Sequence, residues 1–247
     1  MSTRKVVFLG ATKGMGRALA RQMAERGDQV FLLGRDAEDL GRSAADLLAR
    51  GAAKVGQAAC DLAAPDGFAA ALDAADAGLG GFDTVVVTAG LFATQDQLEA
   101  DTERARELLV VDFANTVAFC EHARKRLLAR GGGTLCVFSS VAGDRGRKPV
   151  ILYGAAKAGL SHYLEGLDHK FRGQGLRTIC VKPGFVRTGM TEGLKAPPFA
   201  GEPEGVGRRV LAAIDRGTPV VYAPGIWGHV MRAIRWLPRF VMRKINF

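Results

Sequence analysis

Three side chains suited to proton transfer fall close together in this sequence. Tyr153 precedes Lys157 by one helical turn in the stretch Y-G-A-A-K, so a helix would present the phenol and the ammonium on one face. A nearby ammonium favours the phenolate and lowers the pKa of a phenol, which suits general acid–base catalysis. Ser140 lies upstream, at the end of a predicted strand. The alternative is a surface helix that carries an unrelated tyrosine and lysine.

The elements around these residues decide between the two interpretations. Short runs rich in β-branched residues alternate with longer helical stretches, which is typical of a parallel sheet with helices on both faces. Strands are predicted at residues 5–9, 29–33, 54–59, 82–88, 134–139, 177–182 and 218–222, and helices at 14–26, 36–50, 100–130, 150–172 and 203–216. The sequence therefore predicts one Rossmann-type α/β domain over residues 1–223, doubly wound with about seven strands. Ligands bind beyond the carboxyl ends of such strands, so Ser140 and the start of the Tyr153 helix would face one crevice.

A glycine-rich turn, G-A-T-K-G-M-G, directly follows the first predicted strand. Such a turn allows the backbone to approach a pyrophosphate, and the amino end of the next helix favours the negative charge. The spacing differs from the G-x-G-x-x-G fingerprint, so the position after the first strand supports the assignment. The cofactor-binding residues assigned to this turn are Gly10, Thr12, Lys13, Gly14, Met15 and Gly16.

The end of the second predicted strand indicates which dinucleotide would bind. NAD sites place a carboxylate there to hold the ribose 2′-hydroxyl, but here Gly34 occupies the position and Arg35 follows. A guanidinium can hold a 2′-phosphate and Lys13 adds a second cation, so NADPH/NADP+ is the predicted cofactor. Asp61, after the third strand, is a candidate acceptor for the adenine amino group. The alternative is that both cations are ordinary solvated residues.

The glycine turn, Ser140, Y-x-x-x-K and the P-G dipeptide at 183–184 occur in an order and spacing that resembles the short-chain dehydrogenase/reductase family over residues 5–223. The resemblance implies that Tyr153 exchanges a proton with the substrate oxygen as hydride moves between substrate and nicotinamide. It also implies that Lys157 lowers the pKa of the phenol and holds the nicotinamide ribose, while Ser140 hydrogen-bonds the substrate oxygen. The further cofactor contacts that it implies are Ala89, Gly90, Pro183, Gly184, Val186 and Thr188, besides Tyr153 and Lys157.

Two positions depart from the family pattern. V-T-A-G (87–90) stands where the family usually has N-N-A-G. Asp112, in V-V-D-F-A-N, stands where the family has an asparagine that supports a water between the lysine and solvent. An aspartate would accept the same water and favour a charged lysine, although it introduces a buried charge, so Asp112 is included among the catalytic candidates. Asn115, one turn later, is the candidate for compensation.

Residues 224–247 form a basic, amphipathic tail. This segment has no Asp or Glu and accounts for five units of the net charge of +9, which argues against a general nucleic-acid-binding surface. On a helical wheel its apolar side chains cluster on one side and its arginines on the other, with Pro238 expected to split the segment. The pattern is typical of a helix that lies on an anionic membrane surface. Packing against the body or against a partner subunit is the alternative.

A second cationic group, formed by Arg145, Arg147 and Lys148, lies between Ser140 and Tyr153. It is the candidate for binding a substrate phosphate, and a solvated loop is the alternative. Within the family, S-S-V-A-G-D-R-G-R-K, L-Y-G-A-A-K-A-G-L, the stretch 182–198 and the tail look most like the decaprenylphosphoryl-2-keto-erythro-pentose reductases. The resemblance implies a polyprenyl-phosphate sugar as substrate, with the K-A-P-P lid (195–198) governing substrate choice.

Together these patterns predict a cytoplasmic, NADPH-dependent ketone reductase or alcohol dehydrogenase, peripheral to the inner face of the membrane and acting on a lipid-linked keto-sugar or another amphipathic ketone. The alternatives are a reductase of a soluble ketone or 3-oxoacyl substrate, with the tail used in oligomer packing, and a non-catalytic dinucleotide sensor. The resemblance implies a homodimer or homotetramer. The four cysteines are scattered without CxxC spacing, so buried thiols and no metal site are expected. No signal peptide or spanning segment is expected either.

Overall fold

Seven short strands form one parallel sheet in the computed structural model, which describes residues 3–245. The strands are β1 (Lys5–Leu9), β2 (Gln29–Gly34), β3 (Lys54–Ala59), β4 (Thr84–Val87), β5 (Gly133–Phe138), β6 (Leu176–Pro183) and β7 (Val220–Ala223), in the order β3-β2-β1-β4-β5-β6-β7. Successive residues of β1 and β4 are buried irrespective of the face on which they lie, as in sheets that helices cover on both sides. The strand order reverses between β1 and β4, so a crevice opens at their carboxyl ends.

Helices cover both faces of this sheet. They are α1 (Gly14–Glu25), α2 (Ala37–Ala49), α3 (Phe68–Leu79), α4 (Gln95–Ala100), α5 (Thr102–Leu109), α6 (Thr116–Ala129), α7 (Ile151–Phe171), α8 (Pro203–Arg216), α9 (Ile226–Trp236) and α10 (Arg239–Met242). One core lies between the sheet and α3, α6 and α7, and a second lies between the sheet and α1, α2 and α8. The predicted doubly wound fold is confirmed, and all four cysteines are buried free thiols.

The helix predicted over residues 100–130 is not one regular helix. α5 ends at Leu109, Val110–Asn115 form a π-helical turn, and α6 continues from Thr116. Turns of this kind are rare and frequently lie at functional sites. This one carries Asp112, whose side chain is fully buried.

Two helices, α3 and α4, fall outside the predicted elements. α3 reads FAAALDAADAGL, and its many alanines weaken the contrast between the buried and exposed sides. α4 has only six residues, too few for a helical period to stand out, and is fixed by a capping box at Thr94. β7 begins at Val220, two residues later than the predicted strand.

The tail forms α9 and α10, which Pro238 separates as predicted. Trp227 and Met231 of α9 are buried against Val141, with Phe185 packed at the edge of this cluster. The apolar face of α9 therefore packs on the body of the protein, which is the second of the two expectations for the tail. No helix within residues 3–245 is long and apolar enough to cross a membrane. Residues 1–2 of the predicted domain and residues 246–247 of the predicted tail lie outside the described residues.

Candidate active site

The glycine turn brings backbone from β1, β4 and α1 into close contact. Gly10 has a φ of 96°, and a Cβ there would lie 2.5 Å from the amide nitrogen of Ala89. A Cβ on Gly16 would collide with the carbonyl oxygen of Gly10. No side chain of residues 3–245 caps the amino end of α1, so its first amides are not shielded from the turn. This combination of bare backbone and an uncapped helix end fits a pyrophosphate.

Thr88, for which the sequence predicts no role, fastens the glycine turn to the end of β4. Its hydroxyl donates to the carbonyl oxygen of Gly10 at 2.7 Å. Thr88 is the second residue of V-T-A-G, so this departure from N-N-A-G supplies a hydrogen bond at the base of the turn. The threonine directly before the Ala-Gly pair is the feature of the sequence that could have indicated this hydrogen bond.

A cavity of 240 Å³ lies between the glycine turn, the end of β2 and the loop after β3. It fits the adenosine half of a dinucleotide in position, because it borders the uncapped end of α1. Its lining includes the predicted residues Gly10, Thr12, Lys13, Arg35, Asp61, Ala89 and Gly90, together with Gly34. The structure therefore brings the predicted cations, Lys13 and Arg35, to one cavity.

One of those cations has a partner that the sequence pattern did not indicate. The Lys13 ammonium lies 3.0 Å from a carboxylate oxygen of Asp39, near the start of α2. Hydrogen bonds from Arg42 and from Lys13 lower the pKa of Asp39, so this carboxylate stays ionised at neutral pH. Arg35 is exposed at the rim of the cavity.

Ser140 and Tyr153 line the neighbouring cleft, and Lys157 is buried beside Tyr153. The Tyr153 hydroxyl is hydrogen-bonded to Ser140, and the Lys157 ammonium lies 5.5 Å from the centre of the tyrosine ring. The ring of Phe92 packs edge-on against Tyr153, with 5.2 Å between ring centres. The helical spacing on α7 and the end of β5 thus place the three predicted side chains together. A phenol with a hydroxyl and an ammonium nearby can exchange a proton with a bound oxygen.

Asp112 is also part of this cluster. Its side chain is fully buried, and one carboxylate oxygen lies 3.1 Å from the Lys157 ammonium. Burial by itself would lower the pKa of Lys157, but Asp112 and Tyr153 raise it above the ordinary value. Burial raises the pKa of Tyr153, Lys157 lowers it, and Asp112 raises it again, so the pKa lies above that of a free phenol. Lys157 lowers the pKa of Tyr153 as expected, but burial and Asp112 together raise it by more.

Asn115 does not compensate for this aspartate. Its amide nitrogen donates to the carbonyl oxygen of Leu62, 2.6 Å away in the loop after β3. That contact supports the wall of the adenosine cavity, which Leu62 lines. The Asn115 amide nitrogen is therefore directed to the loop after β3 and not to the Asp112–Lys157 pair.

Two further residues position the catalytic candidates. The side-chain oxygen of Gln95 accepts from the amides of Ile151 and Leu152, at 3.0 and 3.2 Å, and so caps the start of α7. Asp144, four residues after Ser140, forms a part-buried ion pair with Lys182 at 2.6 Å and also accepts from the Tyr222 hydroxyl. The sequence gave no signal for either role, since both partners come from distant segments.

The loop after β6 closes the cofactor side of the cleft. Pro183, Gly184, Val186 and Thr188 all line it. A Cβ on Gly14 would lie 3.3 Å from the Thr188 methyl group, so this loop meets the glycine turn. A Cβ on Gly184 would collide with the indole of Trp227, so α9 packs directly on the loop. Trp227 also lines the cleft, which the amphipathic pattern of the tail did not indicate.

The cleft has a volume of 910 Å³, at the large end of the range for small-molecule sites. Arg147 and Lys148 line it, but Arg145 does not. Instead, Arg145 donates to the carbonyl oxygen of Leu237 at 2.8 Å, and Lys148 donates to that of Arg243 at 2.7 Å. These two cations therefore hold the carboxyl ends of α9 and α10, where the helix dipole favours positive charge.

Comparison with known proteins identifies the family. A sequence profile described as short chain dehydrogenase matches residues 4–198. An uncharacterized oxidoreductase of Mycobacterium tuberculosis is 36% identical over 97% of this chain and 96% of its own length. Carbonyl reductase family member 4 of Xenopus tropicalis is 28% identical, covering 93% of this chain and 95% of its own.

A third relative and one solved structure agree with this assignment. The cis-4-hydroxycyclohexanecarboxylate dehydrogenase of Sinomonas cyclohexanicum is 32% identical over 78% of this chain and 77% of its own length. The crystal structure of levodione reductase superposes with a TM-score of 0.82 at 23% identity, covering 91% of this chain and 98% of the other, which shows the common fold. The profile match and the oxidoreductase relatives establish that the chain belongs to the short-chain dehydrogenase family of oxidoreductases.

Proposed function

We propose that the protein is an NADPH-dependent carbonyl reductase that also catalyses the reverse alcohol oxidation. NADPH, when bound, supplies the hydride that reduces the carbonyl carbon. Tyr153 gives its proton to the carbonyl oxygen, and Ser140 donates a hydrogen bond to the same oxygen as negative charge develops there. Lys157 returns a proton towards the phenolate and holds the nicotinamide ribose. The cluster of Ser140, Tyr153 and Lys157, beside the glycine turn, carries this proposal.

A Tyr153→Phe variant tests the enzymatic role. We expect turnover of a ketone to fall by at least about a hundredfold, because the proton donor is lost, while NADPH affinity changes little. The outcome would be followed by NADPH absorbance for turnover and by fluorescence titration for binding. A variant that keeps the parent's turnover would contradict the assignment, and a protein without turnover in either form would favour a dinucleotide sensor.

The preference for NADPH rests on Arg35 and Lys13. Arg35 is exposed at the rim of the adenosine cavity, and Gly34 leaves the end of β2 without a carboxylate. Because Lys13 is paired with Asp39, Arg35 should make the larger contribution. A hydrogen bond to a charged partner contributes about 1.5–3 kcal/mol, so Arg35→Ala should weaken NADPH binding by roughly tenfold or more and leave NADH binding unchanged.

Side-by-side titrations of the parent with NADPH and NADH provide the reference for this experiment. Arg50→Ala is the matched control, since Arg50 is an exposed arginine that pairs with Asp46 and Glu25 at the far end of α2. Equal affinity of the parent for both cofactors would refute the proposed preference. Equal losses in the Arg35 and Arg50 variants would instead point to a general charge effect.

The proposed substrate is an amphipathic ketone that carries an anionic group, with a lipid-linked keto-sugar as the first candidate. The cleft combines apolar side chains, such as Phe92 and Leu194, with the cations Arg147, Lys148 and Lys195. A second groove, of 680 Å³, shares Arg147 and Lys148 with the cleft and continues between α7 and the tail. This groove offers Ile151, Met242 and Ile245 to an apolar chain, and carboxylates are absent from its described lining.

A pair of substrates separates this proposal from the alternative of a soluble ketone or 3-oxoacyl substrate, which the names of the carbonyl reductase and 3-oxoacyl reductase relatives support. The same keto-sugar would be offered with and without a phosphodiester-linked prenyl chain. We expect the linked form to have the lower KM, and Arg147→Ala to remove most of that advantage. Arg172→Ala, at the far end of α7, is the control. Equal KM values for both forms would favour the soluble substrate.

We also propose that the protein is cytoplasmic and contacts the inner face of the membrane through the exposed side of its tail. Trp236 is 85% exposed and Phe240 is 64% exposed, and both lie among the tail arginines. Anionic lipid attracts each nearby arginine by about 1 kcal/mol, and the two rings would add apolar burial. A Trp236→Ala/Phe240→Ala variant should therefore float with anionic vesicles roughly tenfold less than the parent.

This double variant is preferable to removal of residues 224–247, because truncation would also remove Trp227 from the cleft. Leu48→Ala, which alters an exposed apolar residue on α2, is the control. Family members commonly form oligomers, and a homodimer or homotetramer is proposed here. Two results together would assign the tail to oligomer packing instead. The parent would fail to bind vesicles, and light scattering would show that the double variant no longer forms the oligomer.

A further inference from the structure

The aspartate beside Lys157 is held in place from several sides. Asp112 enters from the π-helical turn, and its second carboxylate oxygen accepts from the amide of Leu91 at 2.6 Å. A Cβ on Gly90 would lie 3.0 Å from Asp112 and 3.4 Å from the Lys157 ammonium, so the ion pair packs directly on this glycine. The carboxylate therefore has no room to turn away from the lysine, and the pair is a fixed feature of the site.

Charges reach Tyr153 from several elements. On its own helix it faces Lys157, from the π-helical turn it faces Asp112, and from the end of β5 it faces the Ser140 hydroxyl. The Cys180 thiol on β6 acts on Lys157. The other charged groups that line the cleft are Asp96, Arg147, Lys148 and Lys195. Of all these groups, the buried carboxylate of Asp112 is the one that pairs directly with Lys157 and offsets its positive charge.

The balance of charge decides which form of the phenol is stable. A lone ammonium beside a buried phenol favours the phenolate. An ammonium that is paired with a buried carboxylate presents little net charge, and the low polarity of the surroundings then favours the neutral phenol. Burial and Asp112 both raise the pKa of Tyr153, whereas Lys157 and the hydrogen bond with Ser140 lower it.

We propose that Asp112 is a positioning residue which, by pairing with Lys157, keeps Tyr153 in the phenol form through neutral and mildly alkaline pH. The proposal rests on the proposed function, because a phenol is the form that carbonyl reduction consumes. In that direction hydride adds to the carbonyl carbon, the phenol O–H bond breaks, and its proton joins the carbonyl oxygen. The remaining phenolate recovers a proton from solvent by way of Lys157. Reduction therefore persists at alkaline pH, and alcohol oxidation requires still higher pH.

Tyrosinate absorbance in the near ultraviolet tests this proposal without turnover. The chain has three tyrosines. Burial raises the pKa of Tyr163 beyond the accessible range, and burial together with the hydrogen bond to Asp144 raises that of Tyr222 to about 12. Tyrosinate that forms between about pH 7 and pH 11 in the protein without cofactor is therefore assigned to Tyr153, and Tyr153→Phe supplies the baseline.

The test variant is Asp112→Asn, which removes the charge and keeps the shape. The Tyr153 midpoint should fall by about one pH unit, the usual effect of one near charge. The alkaline limb of the pH profile for ketone reduction should fall with it. Asp28→Asn is the matched control, because Asp28 is an equally buried carboxylate that pairs with Arg26 at 2.6 Å, outside the groups that act on Tyr153. It should leave the midpoint unchanged.

A midpoint that is unchanged or higher in Asp112→Asn would overturn the proposal, and so would an equal fall in Asp28→Asn. A merely structural role for Asp112 would lower turnover at every pH without moving the midpoint. If Asp112→Asn does not fold, a parent midpoint for Tyr153 at or below the ordinary tyrosine value of 10.0 would still overturn the proposal. Because the titration needs neither cofactor nor substrate, its result is independent of whether ketone reduction itself is detected.

Discussion

Replacing Trp227 by alanine should lower both the stability of the fold and the affinity for substrate, whereas replacing Trp236 should do neither. Trp227 is 5% exposed, is buried against Val141 and Met231, and lines the cleft beside Gly184. Truncation of a buried tryptophan costs about 3–5 kcal/mol, and we expect the low end, about 3 kcal/mol, because one side of the new cavity opens into the cleft and can fill with water. For a chain of this size that corresponds to a fall in Tm of roughly 6 °C or more.

Trp236→Ala is the matched control, since Trp236 belongs to the same helix and is 85% exposed. It should change Tm by less than about 2 °C, because a surface substitution alters stability by about 0.5 kcal/mol or less. Thermal unfolding would be followed by circular dichroism. Tryptophan emission gives a second measurement, because each variant keeps one tryptophan: the buried one should emit at shorter wavelength and resist quenching by acrylamide.

The KM for a ketone substrate should rise in Trp227→Ala and stay constant in Trp236→Ala, because only the first indole is part of the cleft wall. Equal Tm values and equal quenching in the two variants would refute the docking of α9 on the body. The tail would then be free to serve one of the other roles considered for it, and the wall of the cleft would have to be formed in another way.

Three further predictions concern the turn, the start of α7 and pH. Gly16→Ala should weaken NADPH binding by more than about tenfold in fluorescence titration, because its Cβ would displace the turn, whereas Gly41→Ala, with open space around it, should bind normally. Gln95→Ala should lower the free energy of unfolding in urea by about 1 kcal/mol, since two amides of α7 lose their acceptor; no change would mean that water replaces it. A hydrogen bond from Arg124 lowers the pKa of Glu121, so this pair should stabilise the fold above about pH 4 and lose that contribution as pH falls further. The Tm difference between the parent and Glu121→Gln should therefore shrink below about pH 4. A Tm difference that stays constant with pH would contradict this prediction.

Much of the fold followed from local patterns in the sequence. Buried β-branched runs such as β4 and β5 are short and bounded by glycine or polar residues, so their period and length indicate strands without reference to the rest of the chain. The glycine turn and the Tyr153–Lys157 spacing are local too, since a turn and a helix face are defined within a few residues. α3 was missed because its alanines give little contrast between faces.

The tertiary structure decided which charges meet. Asp112, which pairs with Lys157, and Asn115, which donates to Leu62, both lie in a π-helical turn that no sequence periodicity indicates. Arg145 was expected at a substrate phosphate but instead holds the end of α9.

The same distinction applies to the tail. Its amphipathic pattern predicted an apolar face correctly, but an apolar face is satisfied equally by lipid, by a partner or by the chain's own body. The burial of Trp227 against the loop after β6 resolved that choice for α9. Sequence alone therefore predicted most of the elements and the candidate residues that they carry, because those patterns depend on neighbours along the chain. The partners of each charge and each apolar face depend on contacts between distant segments, and only the folded arrangement defines them.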